Sequence, residues 1–299
     1  MSFSSQELKE LITERENALR KPGAMMFSRS RYQIERILGE GGMGITCLAD
    51  EISAANLKRP VVLKFVKDSL DTMRLDRFLN EVQLSVLFNH PNLVPVYRLE
   101  SETLKLEVPR QRSFLGRTYE HTIYYAVMQY IDGWNLRQIV QRLRELNLSL
   151  QHDVSLFLIG RIARGLHYVH EYTNDSGERL GLVHRDVSPE NILIDKFGRV
   201  KVGDFGITRS GKMLRAEKGV LPGKLMYCSP EQLSGQTVDR RCDIYNVGLL
   251  MYFLLTGNDR MRPEATLKNG RERVMAKMKK VPDTELRNVE ARLTDMCRA

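Results

Sequence analysis

Around residues 130–135 the periodicity of the chain changes, and this change restricts the fold more than any other feature. Upstream, apolar residues alternate over short, β-branched stretches: Tyr32–Leu38, Ile45–Asp50, Val61–Val66, Leu93–Leu99 and Ile123–Gln129. A period of two is that of a strand with one buried face. Downstream, Leu136–Leu146, Val154–Glu171, Asp239–Leu255 and Arg271–Lys279 carry apolar residues at helical spacing. The front half holds one such helix, Asp76–Phe88, closed by His90-Pro91-Asn92. A strand-rich section followed by a helix-rich one predicts an α+β chain of two lobes with a cleft. Residues 4–20 read as a further helix, capped by Ser4 or Ser5, with Leu8, Leu11, Ile12 and Leu19 on one face and Lys21-Pro22-Gly23 as its stop. Residues 100–122 are polar and fit either a long hairpin or a loop.

Composition removes several classes of function. The 299 residues are 42% hydrophobic, enough for a sizeable core. The longest apolar run, Val247–Leu255, is far short of the ~18 residues of a membrane helix. The polar start, Met-Ser-Phe-Ser-Ser-Gln-Glu, is unlike a signal peptide. Cys47, Cys228, Cys242 and Cys297 stand far apart, which argues against a zinc site or a disulfide framework and for a reducing, cytoplasmic setting. The net charge of +9 is scattered without interleaved aromatics, so it reads as a solvated surface and predicts no nucleic-acid partner.

Three groups of residues carry chemistry. Gly39-Glu40-Gly41-Gly42-Met43-Gly44 lies between two strands, where glycines let backbone amides approach phosphate oxygens. A dinucleotide fold needs these glycines between a strand and a helix, so the context disfavours it; a flexible hairpin turn stays open at this point. Lys64 interrupts the apolar strand Val61–Val66, where a lysine is costly unless an anion meets it; Glu81 on the next helix, or a phosphate, would do so. The third group is His184-Arg185-Asp186-Val187-Ser188-Pro189-Glu190-Asn191, followed by Asp204-Phe205-Gly206 and Ser229-Pro230-Glu231.

In this order the motifs resemble the protein kinase signature set, and their flavour is similar to bacterial eukaryotic-like Ser/Thr kinases. The resemblance implies a bilobal fold: a five-stranded antiparallel sheet plus one helix over about 32–129, a mainly helical lobe over about 133–299, and residues 1–31 as a helical extension. It implies ATP and Mg²⁺ as cofactors, and protein substrates with serine or threonine acceptors, the chain itself among them. Leu38, Gly39, Glu40, Gly41, Gly42, Met43 and Gly44 would cover the nucleotide; Lys64, held by Glu81, would grip its α and β phosphates. Thr46, Val62 and Leu193 would enclose the adenine, the backbone of Gln129–Ile131 would hydrogen-bond it, and Met128 would stand at the back. Asp186 would orient the acceptor hydroxyl, Asn191 and Asp204 would hold Mg²⁺, and Asp243 would brace the catalytic loop.

Several positions depart from the family pattern. Ser188 stands where a lysine usually neutralises the γ-phosphate, while Lys224 stands where threonine is usual. An exchange, with Lys224 supplying the missing charge, explains both; a surface Lys224 and slow catalysis is the alternative. Between Asp204 and Glu231 the hydroxyl residues Thr208, Ser210, Tyr227 and Ser229 lie near the ends, so either Glu217 replaces the usual phosphate opposite Arg185 or the usual switch is absent. Thr46 for valine and Val62 for alanine narrow the adenine pocket, and Ser85 for an apolar residue loosens the helix of Glu81. The last fifteen residues resemble the start of a penultimate helix, so the chain reads as a fragment that lacks the usual arginine partner of Glu231. The rival reading is a pseudokinase, a nucleotide-binding scaffold with weak or no transfer.

Overall fold

The alternating stretches of the front section form strands because each has one face to bury. The computed structural model describes residues 10, 13–14, 16–27, 31–40, 44–66, 70–107, 118–204, 208–209, 211–212 and 226–257. The chain divides into two compact units, Met1–Phe88 with Pro95–Tyr130, and Asn89–Val94 with Ile131–Ala299.

The first unit is built on an antiparallel sheet of β1 (Met25–Phe27), β2 (Arg31–Glu40), β3 (Gly44–Ile52), β4 (Lys58–Val66), β5 (Val96–Glu107) and β6 (Thr118–Gln129), in the order β1-β2-β3-β4-β6-β5. Thr46 faces Lys64, which faces Ala126, and Leu48 faces Val62, which faces Met128. Cross-strand partners share a face, so Thr46, Val62, Lys64 and Met128 lie on one side of the sheet. The opposite side carries Cys47, Leu63, Phe65, Tyr125 and Val127, all buried, with Leu19 and Ala24 packed against them. Helix α1 (Thr72–Ser85) packs on β4 and β5.

Three expectations change here, and one left open is decided. The sheet has six strands, not five, because Met25–Phe27 pairs with Arg31–Gln33, so the N-terminal extension is not wholly helical. Residues 13–14 and 16–19 are helical. The turn of Arg20 behind them buries its guanidinium, which donates to Glu16 Oε2 at 3.1 Å and to the Val66 carbonyl at 3.2 Å. Glu16 also meets His121 Nε2 at 3.1 Å. Helix α1 starts at Thr72 rather than Asp76, because the Asp71 side chain accepts the Arg74 N–H and caps it there. The polar stretch 100–122 belongs to the hairpin of β5 and β6 on either side of residues 108–117, which lie outside the described residues. Within it the buried carboxylate of Glu100 accepts from Tyr32 at 3.1 Å, Tyr125 at 3.2 Å and Arg98 Nε at 2.5 Å.

The third change concerns Leu93–Leu99, which is not one strand. Leu93 and Val94 join the second unit: Val94 N donates to Val202 O at 2.8 Å, and Val202 N to Asn92 O at 2.9 Å. Lys201 secures the same segment, its ammonium donating to the carbonyls of Pro91 and Leu93 at 3.1 and 3.2 Å. The strand proper begins at Val96.

The second unit holds helices α2 (Leu136–Glu145), α3 (His152–His170), α4 (Pro230–Ser234) and α5 (Arg241–Thr256). Asn135 and Gln138 form a capping box at the start of α2, and Gly257 ends α5 with φ of 70°. Strands β7 (Gly133–Asn135), β9 (Ile192–Asp195) and β10 (Val200–Val202) form a small sheet, while β8 (Leu182–Val183) pairs with β11 (Thr208–Arg209) and β12 (Gly211–Lys212) with β13 (Thr237–Val238). The expected helix Arg271–Lys279 lies outside the described residues. Among the described residues no helix is long and apolar enough to cross a membrane.

Candidate active site

In the first unit the site rests on β4. Its pleat turns Lys64 away from the Leu63–Phe65 side, toward the face shared with Thr46, Val62 and Met128. Lys64 Nζ meets Glu81 Oε1 at 3.1 Å, with side-chain exposures of 12% and 16%, so the pair is largely shielded from water. Glu81 is fixed in turn by α1, whose Phe78, Val82 and Ser85 are buried. Ser85, expected to loosen this helix, is buried in its packed face. Its hydroxyl donates to the Glu81 carbonyl at 2.7 Å, which satisfies the polar atom inside the packed face.

In the second unit the site is a loop held by its backbone. Asp243, fully buried on α5, accepts the N–H groups of His184 at 2.9 Å and Arg185 at 2.8 Å. His170 Nε2 lies 2.7 Å from the same carboxylate. Burial alone would raise the Asp243 pKa, but the contact with His170 and the two backbone donors outweigh it and hold the carboxyl below the usual aspartate range. Burial likewise pushes the His184 imidazole below its usual value, against the pull of Asp243 and Asp186. Arg185 adopts φ of 67°, a left-handed conformation that a non-glycine residue keeps only where its surroundings impose it. Asn191 Nδ2 donates to the Asp186 carbonyl at 2.7 Å, and Gly203 N, one residue before Asp204, to the Asn191 carbonyl at 2.9 Å. Asp204 is exposed, with φ of 51°.

Residues 32–298 match the protein kinase domain family. The chain belongs to that family. Its kinase-family relatives include the tyrosine-protein kinase MasK of Myxococcus xanthus, 34% identical over 75% of this chain and 32% of that protein. They also include the serine/threonine-protein kinases PknB of Mycolicibacterium smegmatis, 35% identical over 76% and 32%, and PrkC of Bacillus subtilis, 33% over 76% and 30%. The chain therefore spans about a third of the length of these relatives.

The other residues expected of a kinase site are distributed as follows. Leu38, Gly39 and Glu40 are exposed at the end of β2, and Gly44 is buried at the start of β3; Gly41, Gly42 and Met43 lie outside the described residues. Gln129 directs its N–H to the Pro95 carbonyl at 2.9 Å. In the second unit Ile131 is buried, and Leu193 on β9 pairs with Lys201 and Asn135. Ser188 is fully buried, and its hydroxyl has no hydrogen-bond partner among the described residues. Lys224 and Glu217, invoked for the departures, lie outside the described residues.

Sequence reasoning missed two supports of the loop, His170 and Gln232. Gln232 Nε2 donates to the Arg185 carbonyl at 2.8 Å. A signal was present for it: Ser229-Pro230-Glu231-Gln232 has the Ser-x-x-Gln spacing of a capping box, which α4 forms. Nothing local marks His170, whose partner is 73 residues away.

Proposed function

We propose that the chain transfers the γ-phosphate of ATP to serine or threonine hydroxyls of protein substrates, with Mg²⁺. The observation that carries this reading is the shielded Lys64–Glu81 pair at 3.1 Å. A lysine held by a carboxylate on a largely shielded face presents a fixed cation, the requirement for gripping phosphate oxygens. Thr46, Val62 and Met128 share that face and would receive the adenine.

Asp186 would accept the hydrogen bond of the acceptor hydroxyl and aim its oxygen at the phosphorus. Its own carbonyl is tied by Asn191, whose amide nitrogen is thereby engaged and whose Oδ1 is the atom left for a cation. That oxygen and the Asp204 carboxylate are the hard donors Mg²⁺ prefers, and they suit an ion that keeps waters and phosphate oxygens as its remaining ligands. Bound Mg²⁺–ATP would supply the phosphoryl group and neutralise charge on its oxygens; the chain supplies position. We further propose that Lys224 contributes the cation that Ser188 lacks, that Glu217 answers Arg185 without phosphorylation, and that residues 32–299 constitute the catalytic domain.

The test is Mg²⁺-dependent incorporation of labelled γ-phosphate into the chain and into a generic basic protein. Asp186→Asn should lower it by on the order of 10²–10⁴-fold. Because one relative is named a tyrosine kinase, hydrolysis of the labelled product to phosphoamino acids decides the acceptor. Phosphotyrosine alone would overturn the serine/threonine assignment. The scaffold reading draws on Ser188; nucleotide-dependent thermal stabilisation without any transfer would establish it.

A further inference from the structure

We propose that Gln232 is a positioning residue for Asp186, acting through the peptide plane that joins Arg185 to Asp186. The inference rests on the reading of Asp186 as the residue that orients the acceptor. That peptide is held at both ends. Its carbonyl oxygen, on Arg185, accepts from Gln232 Nε2 at 2.8 Å, and its N–H, on Asp186, points to His184 Nδ1 at 3.3 Å. The preceding N–H, on Arg185, is held by Asp243 at 2.8 Å. Rotation about Arg185 is thereby blocked on both sides, and the left-handed φ of 67° persists. The direction in which the Asp186 side chain leaves the backbone follows from this plane.

Gln232 suits this place because its amide both accepts and donates. It is buried, with 4% exposure. Its Oε1 accepts the Ser229 N–H at 2.9 Å, and its own N–H bonds Ser229 Oγ at 3.4 Å. The first bond fixes which end of the amide is oxygen, so Nε2 must face Arg185. Glutamate would keep the acceptor toward Ser229 but lose the donor, and its charge would face a carbonyl oxygen. Methionine would lose both.

Two variants separate these parts: Gln232→Glu and Gln232→Met. At pH 8, kcat of Gln232→Glu should fall on the order of tenfold, the effect of one buried acceptor left unpaired, with KM for ATP unchanged. As pH falls the buried carboxyl takes up a proton and regains a donor, so its kcat should climb toward that of the unmodified chain, while the deficit of Gln232→Met stays constant with pH. A role confined to capping α4 would give equal, pH-independent losses or none, and would overturn the proposal. A second readout is free of catalysis: the backbone amide resonance of Asp186 should move in Gln232→Met, and an unmoved resonance refutes the positioning role. An unmodified chain without transfer would count against the assignment of Asp186 alone, and the resonance would then decide for Gln232. If neither variant folds, hydrogen exchange in the unmodified chain decides: slow exchange at Gln232 Nε2 supports the bond to Arg185, and fast exchange overturns it.

Discussion

A Cβ atom added to Gly44 would lie 2.1 Å from the carbonyl oxygen of Phe65. The last glycine of the loop motif is therefore required by the sheet, where Gly44 pairs with Val66 at the open end of β3 and β4. Gly39, the first, meets nothing within 4 Å of such an atom. Two glycines of one motif thus answer to different constraints. Gly44→Ala should destabilise the chain by about 1–3 kcal/mol, since backbone must shift to make room, and thermal unfolding will read it. Gly39→Ala should leave the midpoint nearly unchanged and instead raise KM for ATP.

The Lys64–Glu81 pair should behave as a unit. Lys64→Met should lower kcat by on the order of 10²-fold or more, through loss of a fixed cation. Glu81→Gln should cost less, because lysine keeps its charge and loses only its restraint. The double variant should be no worse than Lys64→Met alone, and additive losses measured in a double-mutant cycle would mean that the two act separately.

Acid should destabilise the chain in two stages of the same sign. The folded chain keeps His184 neutral to lower pH than the unfolded chain does, so the unfolded state binds more protons once pH drops below about 6.5. This contribution is complete above that value and lost below it, at up to about 1.4 kcal/mol per pH unit. Asp243, with its carboxyl held low, contributes stability that is present above about pH 4 and lost as pH falls through the folded value. Urea unfolding from pH 8 to 3 should show both declines. In His184→Asn, whose amide oxygen can still accept the Asp186 N–H, the first decline should shrink to the part left by His90, whose imidazole is also held low by burial and by the nearby Lys201 and Arg164 charges.

Arg20 should be worth more to stability than its place in an N-terminal extension suggests. Its guanidinium is buried against Glu16, the Val66 carbonyl and the Phe65 ring, 5.5 Å from the ring centroid. Removing one partner of a buried ion pair leaves the other charge poorly compensated, at a cost of about 3–5 kcal/mol. Arg20→Met should show a loss of this order in chemical denaturation, and a loss below 1 kcal/mol would mean that Glu16 is satisfied without it.

Where sequence and structure part company, the causes are specific. The alternation Val61–Val66 was enough to put Lys64 and Val62 on one face and Leu63 and Phe65 on the other, because strand geometry is local. The apolar pattern places the start of α1 one turn late because Asp71 caps ahead of it. Strand β1 went unread because three residues, Met-Met-Phe, show no period; only pairing with β2 makes them a strand. The apparent strand Leu93–Leu99 was cut because Asn92 and Val94 find their backbone partners on Val202, more than a hundred residues on.

What the sequence by itself determined is the set of reactive groups and the local elements that bear them: the glycine loop, the strand of Lys64, the loop of Asp186 and Asn191, and the capping signal at Ser229. Composition and short-range spacing encode these because each depends on neighbours within a few residues. Tertiary structure alone decided how the groups are held. Arg20 reaches Val66 across 46 residues, Gln232 reaches Arg185 across 47, and Asp243 reaches His184 across 59. Such contacts exist only once the chain has closed long loops around a common core, and no local pattern records where a side chain will meet a distant backbone.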